Sequence, residues 1–269
     1  MAFLRWALPR MGMRWAGFRK VRGGVCKRIG RRLSALGLRD PAAYRLYLEA
    51  NPAEWGALEG MCRVSISRFY RDRGVFECLK DTVLPAIAGA ARRGGGEIRC
   101  WCAGCASGEE AWTLSMIWRL AIGERFAGPP FRVLATDTDE HLLSRAEAGR
   151  YPPSSLKELP GAWRDLAFDR KGGAYCLKAP FREGVRFERQ DIRREAPGGA
   201  FHLILCRNLA FTYFDDGVQR EVLERILTKI RPGGFLVAGS HERLPAGEGR
   251  LERWPEGQPI YRLINGVGE

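Results

Sequence analysis

The sequence predicts an α/β fold with a parallel sheet, preceded by a small basic helical unit. Three observations support this. Apolar runs of strand length alternate with helical patterns from residue 97 onward, amphipathic helical patterns fill residues 17–60, and positive charge is concentrated near the start. The chain has 269 residues, 45% hydrophobic and 28% charged, which is enough to bury a core and excludes a disordered or collagen-like protein. No run of 18 apolar residues predicts a membrane-spanning helix.

The charge of the chain is strongly asymmetric. Residues 1–72 hold 15 basic and five acidic side chains, and no acid precedes Asp40. Such a bias predicts contact with something anionic, namely a nucleic acid, a membrane surface or an acidic protein. A merely solvated basic helix face is the alternative. Residues 1–16 are Arg-rich and acid-free, so we expect a free N-terminal arm.

Residues 17–60 are predicted to form a helical bundle. Val25, Ile29 and Leu33 follow one another at helical spacing, and Gly37 ends that helix. Asp40 followed by proline is typical of a helix start, with the carboxylate as the cap. A third helix is expected after Asn51-Pro52.

From residue 76 the pattern changes to that of a parallel α/β sheet. The predicted helices span 76–93, 109–123, 139–149 and 216–232. The predicted strands span 97–104, 131–137, 201–208, 235–240 and 259–264, with shorter strand-like runs between 151 and 190. Ligands of such sheets bind at the carboxyl ends of the strands.

The strongest local motif is the turn from the first strand into the next helix, residues 103–110. Gly104 and Gly108 would let the backbone approach a ligand. Ser107 and Glu110 have the spacing of a capping box. The lysine of a phosphate-binding loop is missing, so the alternative is a plain strand-to-helix turn.

Polar side chains follow two further strands. Asp137 ends the second strand, where a carboxylate can accept both hydroxyls of a ribose, whereas Asp139 is better placed as a helix cap. Asn208 ends the third strand and can both donate and accept hydrogen bonds in the crevice. A turn-capping role for Asn208 is the alternative.

The eight cysteines do not predict a metal site. Cys100, Cys102 and Cys105 are closely spaced, but no second pair with ligand spacing follows, and the chain has only three histidines. No nucleophile elbow of a serine hydrolase is present. Reduced cysteines and the missing secretory region favour a cytoplasmic location.

Seven segments occur together in a family-specific order. They are Arg28–Leu38 (RIGRRLSALGL), Ser65–Asp72 (SISRFYRD), Ser107–Thr113 (SGEEAWT), Thr136–Asp139 (TDTD), Ala146–Tyr151 (AEAGRY), Cys206–Leu209 (CRNL) and Pro232–Leu236 (PGGFL). In this order they resemble the CheR family, the chemotaxis receptor methyltransferases that use S-adenosylmethionine. The resemblance extends over about residues 17–264.

The resemblance implies a Rossmann-like class I methyltransferase domain over 76–269, with a small β-subdomain at 157–190. A basic N-terminal helical domain over 17–75 would precede it. The implied cofactor is S-adenosyl-L-methionine, with S-adenosyl-L-homocysteine as the product. The residues that would bind it, with Gly104 as the glycine of the turn after the first strand, are Ser65, Ser67, Arg71, Gly104, Glu110, Asp137, Asp191, Ile192, Asn208 and Leu209.

The family's reaction implies roles for several of these residues. Arg71 would pair with the carboxylate of the methionine moiety and act at the catalytic centre with Tyr213. Glu110 would hold the ammonium group, and Asp137 the ribose. The acceptor would be a glutamate side chain of an acidic receptor-like helix. That helix would dock on Arg28, Arg31 and Arg32, which fits the charge asymmetry.

Two departures from the family pattern bear on the acceptor. Ser65 and Ser67 stand where the family has Asn and Thr, and the segment after Asn208 is one residue longer, which leaves the position of Tyr213 open. A methyltransferase acting on a small molecule or a modified peptide is therefore the first alternative. An inactive module that binds the cofactor or RNA is the second, and the retained polar residues argue against it.

Overall fold

The computed structural model describes residues 2–94, 96–123, 125, 129–247 and 249–264. The helices of these residues are α1 (Ala2–Arg10), α2 (Trp15–Phe18), α3 (Arg22–Ala35), α4 (Pro41–Ala50), α5 (Glu54–Cys62), α6 (Arg73–Cys78), α7 (Leu84–Gly94), α8 (Glu109–Ile117), α9 (Glu140–Ala148), α10 (Gly161–Ala167), α11 (Ala210–Tyr213) and α12 (Asp216–Leu227). The strands are β1 (Ile98–Ala103), β2 (Phe131–Asp137), β3 (Arg150–Tyr151), β4 (Phe168–Lys171), β5 (Ala174–Leu177), β6 (Val185–Arg189), β7 (Phe201–Leu205), β8 (Ile230–Val237), β9 (Leu251–Arg253) and β10 (Ile260–Leu263). Among these residues, no helix is both long and apolar enough to cross a bilayer.

The central sheet has the order β6-β2-β1-β7-β8-β10-β9. The first five of these strands are parallel, β10 is antiparallel to β8, and β9 is antiparallel to β10. The order of the strands reverses between β1 and β7, and that reversal opens a crevice at their carboxyl ends. The predicted α/β class with a Rossmann-like sheet is confirmed.

Strands β1 and β7, at the centre of the sheet, are buried on both faces, which explains their continuous apolar sequences. Along β1, Cys100 and Cys102 pack into one core cluster with α7 and α8. The alternate residues Trp101 and Ala103 pack into a second cluster with α1, α3 and α12. The N-terminal helices therefore share a core with one face of the sheet.

The helix ends of the N-terminal unit form as the sequence predicts. Asp40 caps α4, because its Oδ1 accepts hydrogen bonds from the amides of Ala42 and Ala43, each at 2.8 Å. Gly37 follows α3 with a φ of +66°, a conformation that glycine adopts at little cost.

The predicted end of the helix over 216–232 is wrong. Helix α12 stops at Leu227, and Pro232–Gly234 lie inside β8, whose register against β7 is irregular.

A three-stranded antiparallel sheet with the order β3-β5-β4 stands beside the main sheet. It corresponds to the predicted small β-subdomain, but the limits 157–190 are wrong. The small sheet begins at Arg150, and Val185–Arg189 joins the main sheet, where it pairs in parallel with β2. The reason is packing, since Phe187 contacts Trp112 with 5.1 Å between ring centroids.

The first sixteen residues contain a packed helix, contrary to the predicted free arm. Helix α1 buries Leu4, Ala7 and Leu8, which form an apolar stripe beneath its basic residues. Arg14 then donates from its amide to the carbonyl of Tyr213 at 2.9 Å and from Nε to that of Thr212 at 3.1 Å. The segment is therefore attached to α11 at the carboxyl end of the sheet.

We expect Leu8→Ala to lower the free energy of unfolding by about 2–5 kcal/mol, because it opens a cavity in a fully buried site. The matched control is Leu46→Ala on α4, where the leucine is 68% exposed and the cost should be about 0.5 kcal/mol or less. Urea denaturation measures both. Equal stability of the two variants would mean that the α1 segment is a free arm after all.

Candidate active site

A cleft lies over the carboxyl ends of β1, β2 and β7, beneath the segment 63–68. Its lining includes every residue that the sequence predicts for the cofactor, together with Tyr213, and those residues are Ser65, Ser67, Arg71, Gly104, Glu110, Asp137, Asp191, Ile192, Asn208 and Leu209. Positions up to 148 residues apart in the chain, Ser65 and Tyr213, thus meet in one space. Arg28, Arg31 and Arg32 do not line it.

The loop between β1 and α8 requires both of its glycines. Gly104 has a φ of +76°, and a Cβ there would clash with the side chain of Leu209. Gly108 has a φ of +85°, and a Cβ there would lie 2.7 Å from that of Ala146. The predicted capping box is wrong: Gly108 is the N-cap, and the hydroxyl of Ser107 donates to the carboxylate of Glu109 at 2.9 and 3.0 Å.

Asp137 is fixed at the end of β2 by two backbone amides. Its Oδ2 accepts from Ala106 at 2.9 Å, and its Oδ1 accepts from Asp139 at 3.0 Å. Burial raises the pKa of Asp137, and these two hydrogen bonds oppose that rise. The helix-capping role predicted for Asp139 is confirmed, since its side chain caps α9. The ribose role of Asp137 stays a prediction.

A buried arginine that sequence reasoning passed over organises the centre of the site. Arg207 donates from Nη1 to Glu110 Oε2 and from Nη2 to Asp72 Oδ2, each at 2.7 Å. Its side chain is 2% exposed and lies over the ring of Phe76. Burial raises the pKa of Glu110, and the pairing with Arg207 opposes that rise. An arginine directly after an apolar strand was the available signal.

A buried glutamate, also missed, fixes the turn after β7. Glu242 Oε2 accepts from the amides of Asn208 at 2.7 Å and Gly239 at 2.6 Å, and its Oε1 accepts from the hydroxyl of Thr212 at 2.7 Å. Asn208 has a φ of +55°, which these contacts hold in place. Asn208 Oδ1 then accepts from Arg71 Nη2 at 3.2 Å. The carboxylate thus links β8, α11 and the cleft.

The extra residue after Asn208 does not remove the tyrosine from the site. Thr212 faces Glu242, whereas Tyr213 lines the cleft and packs against Phe18 with 5.1 Å between ring centroids. Burial raises the pKa of Tyr213, and Glu242 adds to that rise while Arg71 opposes it. The segment before α3 forms one wall here, because Met13 and Phe18 also line the cleft.

Asp191 has an arginine partner within the cleft. Arg193 donates to its Oδ1 from the amide and from Nε, each at 3.0 Å, and to Oδ2 from Nη2 at 2.6 Å. Although burial alone would raise the pKa of Asp191, these hydrogen bonds hold it below its usual value. Arg193 also contacts Glu59 of α5, so this pair connects the N-terminal helices to the sheet.

The three arginines predicted for docking do not share one environment. Arg32 donates to both carboxylate oxygens of Glu54, at 2.8 and 2.6 Å, and Arg28 donates to two backbone carbonyls at the end of α5, those of Met61 and Arg63. Arg31 is exposed, as is Lys27 on the same helix. Neither makes an ion pair with another described residue. The helix therefore offers a smaller free basic face than the sequence suggests.

The side chains that line the cleft match the groups of a zwitterionic nucleoside. It combines two carboxylates (Glu110 and Asp137), the guanidinium of Arg71 and the apolar side chains of Ile192 and Leu209. Such groups can bind an ammonium, a ribose, a carboxylate and a base, respectively. Within the described ranges, no cluster of three His, Cys, Asp or Glu residues could hold a metal ion.

Comparison with known proteins identifies relatives over most of the chain. The family model described as CheR methyltransferase, SAM binding domain, matches residues 65–257. An uncharacterized 104.1 kDa protein of Rhodobacter capsulatus is 31% identical over 82% of this chain but only 23% of its own length. The chemotaxis protein methyltransferase of Listeria monocytogenes is 32% identical over 67% of this chain and 66% of its own. That of Escherichia coli is 31% identical over 89% of this chain and 82% of its own. The chain thus spans less than two thirds of the first two relatives.

Proposed function

Since the chain belongs to the CheR methyltransferase family and uses S-adenosylmethionine, we propose that it methylates the carboxylate of a glutamate side chain in an acidic protein. The observation that carries the proposal is the cleft itself. It places Arg71, Glu110, Asp137 and Tyr213 around one space at the switch point of the sheet. Two of the relatives are named chemotaxis protein methyltransferases, and that name supports a protein acceptor.

Three charged residues of the cleft have distinct parts in holding the methyl donor. Asp137 accepts the ribose hydroxyls, with its orientation already set by two amides. Glu110 receives the ammonium, and Arg207 keeps that carboxylate in place. Arg71, held by Asn208 Oδ1 and the carbonyl of Ile66, pairs with the carboxylate of the methionine moiety. When bound, the sulfonium supplies an electrophilic methyl group.

Transfer to a carboxylate needs positioning more than a base, because the acceptor is already ionised. Tyr213 keeps its phenolic proton near neutral pH, because an ordinary tyrosine has a pKa of about 10 and burial raises that of Tyr213 further. Its Oη can therefore donate a hydrogen bond to one oxygen of the acceptor, which orients the other oxygen for attack. Arg71 lines the same cleft, and its charge opposes that rise in the pKa of Tyr213.

Acceptor docking is assigned to the exposed basic face of α3. We expect Lys27→Glu with Arg31→Glu to lower kcat/KM for an acidic protein acceptor by at least about tenfold, through KM and most strongly at low salt. The affinity for S-adenosylmethionine should stay unchanged, as these residues do not line the cleft. Unchanged turnover in the double variant would instead favour a small-molecule acceptor.

The affinity for S-adenosylmethionine should depend on pH in a direction set by Glu110. Burial raises the pKa of Glu110, so on acidification its carboxylate is protonated at a higher pH than an ordinary glutamate. The neutral form cannot pair with an ammonium, so affinity should fall as pH drops through that raised pKa. Asp137, whose pKa is also raised, adds to the same fall.

Calorimetric titrations between pH 7 and pH 5 measure this dependence. Glu110→Gln should bind weakly at pH 7 and lose less affinity on acidification than the wild type, because only Asp137 then contributes to the fall. A wild-type affinity that stays constant over this range would show that Glu110 does not receive the ammonium.

A further inference from the structure

Arg28 lies on α3 but points toward the end of α5. Its Nε donates to the carbonyl of Met61 at 2.7 Å, and its Nη2 donates to the carbonyl of Arg63 at 3.0 Å. The side chain is half-buried between the two helices. Two of its donors are therefore committed to backbone carbonyls 33 and 35 residues further along the chain.

These carbonyls lie where the chain leaves α5 and begins to cover the cleft. The last carbonyls of a helix have no partner within the helix, and an arginine can satisfy them. Arg63, the residue after α5, already has an extended conformation with φ −63° and ψ 135°. From here residues 63–68, which we call the strap, pass over the cleft and contribute all six residues to its lining.

The strap is fixed further along by two other hydrogen bonds. Arg71 Nη1 donates to the carbonyl of Ile66 at 2.7 Å, and the amide of Phe69 donates to the carbonyl of Ser155 at 2.9 Å. The first of these hydrogen bonds holds the middle of the strap, and the second holds the chain just after its far end. Arg28 acts at the near end, directly before Ser65 and Ser67.

We propose that Arg28 is a positioning residue for the methyl-donor site, which it serves by fixing the start of the strap, and that it is not a docking residue. The fork of the guanidinium suits this task, because two of its N–H groups reach two carbonyls at once. The inference concerns the binding of S-adenosylmethionine and does not depend on the identity of the acceptor.

The test compares Arg28→Ala with Arg39→Ala, which removes the same charge from an exposed position of the N-terminal region. Affinity for S-adenosylmethionine is measured by calorimetry without an acceptor, so a docking defect cannot affect it. We expect Arg28→Ala to weaken binding about tenfold, because the two hydrogen bonds that fix the start of the strap are lost, and Arg39→Ala to match the wild type. Arg28→Gln, which keeps amide donors without charge, should recover part of the loss.

Limited trypsin digestion of the free protein gives a second readout. The strap contains Arg63 and Arg68, and cleavage there should be faster in Arg28→Ala than in Arg39→Ala. If Arg28→Ala folds poorly, Arg28→Gln carries the comparison. Wild-type affinity together with wild-type cleavage in Arg28→Ala would overturn the proposal. So would a defect seen only as a raised, salt-dependent KM for an acidic acceptor, which would return Arg28 to docking.

Discussion

Arg207→Met is expected to lower the free energy of unfolding by about 3–5 kcal/mol, the usual cost of removing one partner from a buried ion pair. Arg207 is 2% exposed in its side chain and pairs with both Glu110 and Asp72, so its loss leaves two carboxylates without their cation. It also gives up the hydrogen bond from Nη2 to the carbonyl of Arg71 at 2.9 Å. Binding of S-adenosylmethionine should be lost as well.

Urea denaturation at pH 7 measures this effect. Arg119→Met is the matched control, because Arg119 pairs with Glu183 at the surface, where side chains are 32% and 71% exposed, and should cost about 1 kcal/mol or less. Arg207→Lys should fall between, since it keeps a charge but lacks the fork that reaches two carboxylates. A loss in Arg207→Met no larger than in Arg119→Met would contradict the central place given to Arg207.

Asp137→Ala should weaken the binding of S-adenosylmethionine by about 100-fold or more, because it removes a carboxylate that accepts two hydroxyls. Asp139→Ala is the matched control two residues away. It removes the cap of α9 and should cost about 1 kcal/mol of stability, with little effect on affinity. Calorimetry and thermal unfolding separate the two effects.

The outcomes for the two aspartates are distinguishable. If both variants lose affinity equally, the loop geometry and not the ribose contact determines binding. If Asp137→Ala keeps wild-type affinity, the ribose assignment fails. In either case Asp137→Asn, which can still accept a hydrogen bond from Ala106, reports how much of the loss comes from the loop.

The parts of the fold that sequence reasoning predicted correctly depend on local patterns. β2 forms over residues 131–137 as predicted, and Asp40 and Asp139 cap the helices that follow them. These outcomes need only the near-continuous apolar run of a buried strand and a carboxylate next to free amides. The residues that line the cleft were predicted through the resemblance to the CheR family, and the strand-end positions among them meet because the carboxyl ends of the strands lie at one edge of the sheet.

What the sequence could not supply depends on contacts between distant residues. Glu110 and Asp72 lie 97 and 135 residues from Arg207, and no periodicity links them. The prediction of a capping box was wrong because Gly108, with its positive φ, is the N-cap, so that α8 begins at Glu109, past Ser107. The prediction of a free N-terminal arm was wrong because it used the charge of residues 1–16 and not the apolar stripe of Leu4, Ala7 and Leu8.

The most direct test of the proposed function is to incubate the protein with methyl-labelled S-adenosylmethionine and host lysate, then separate proteins from metabolites. We predict label on protein that mild alkali releases as methanol, as a carboxyl methyl ester requires, and only background label with Asp137→Ala. Label confined to small molecules, or protein label that alkali does not release, would contradict methylation of a protein carboxylate.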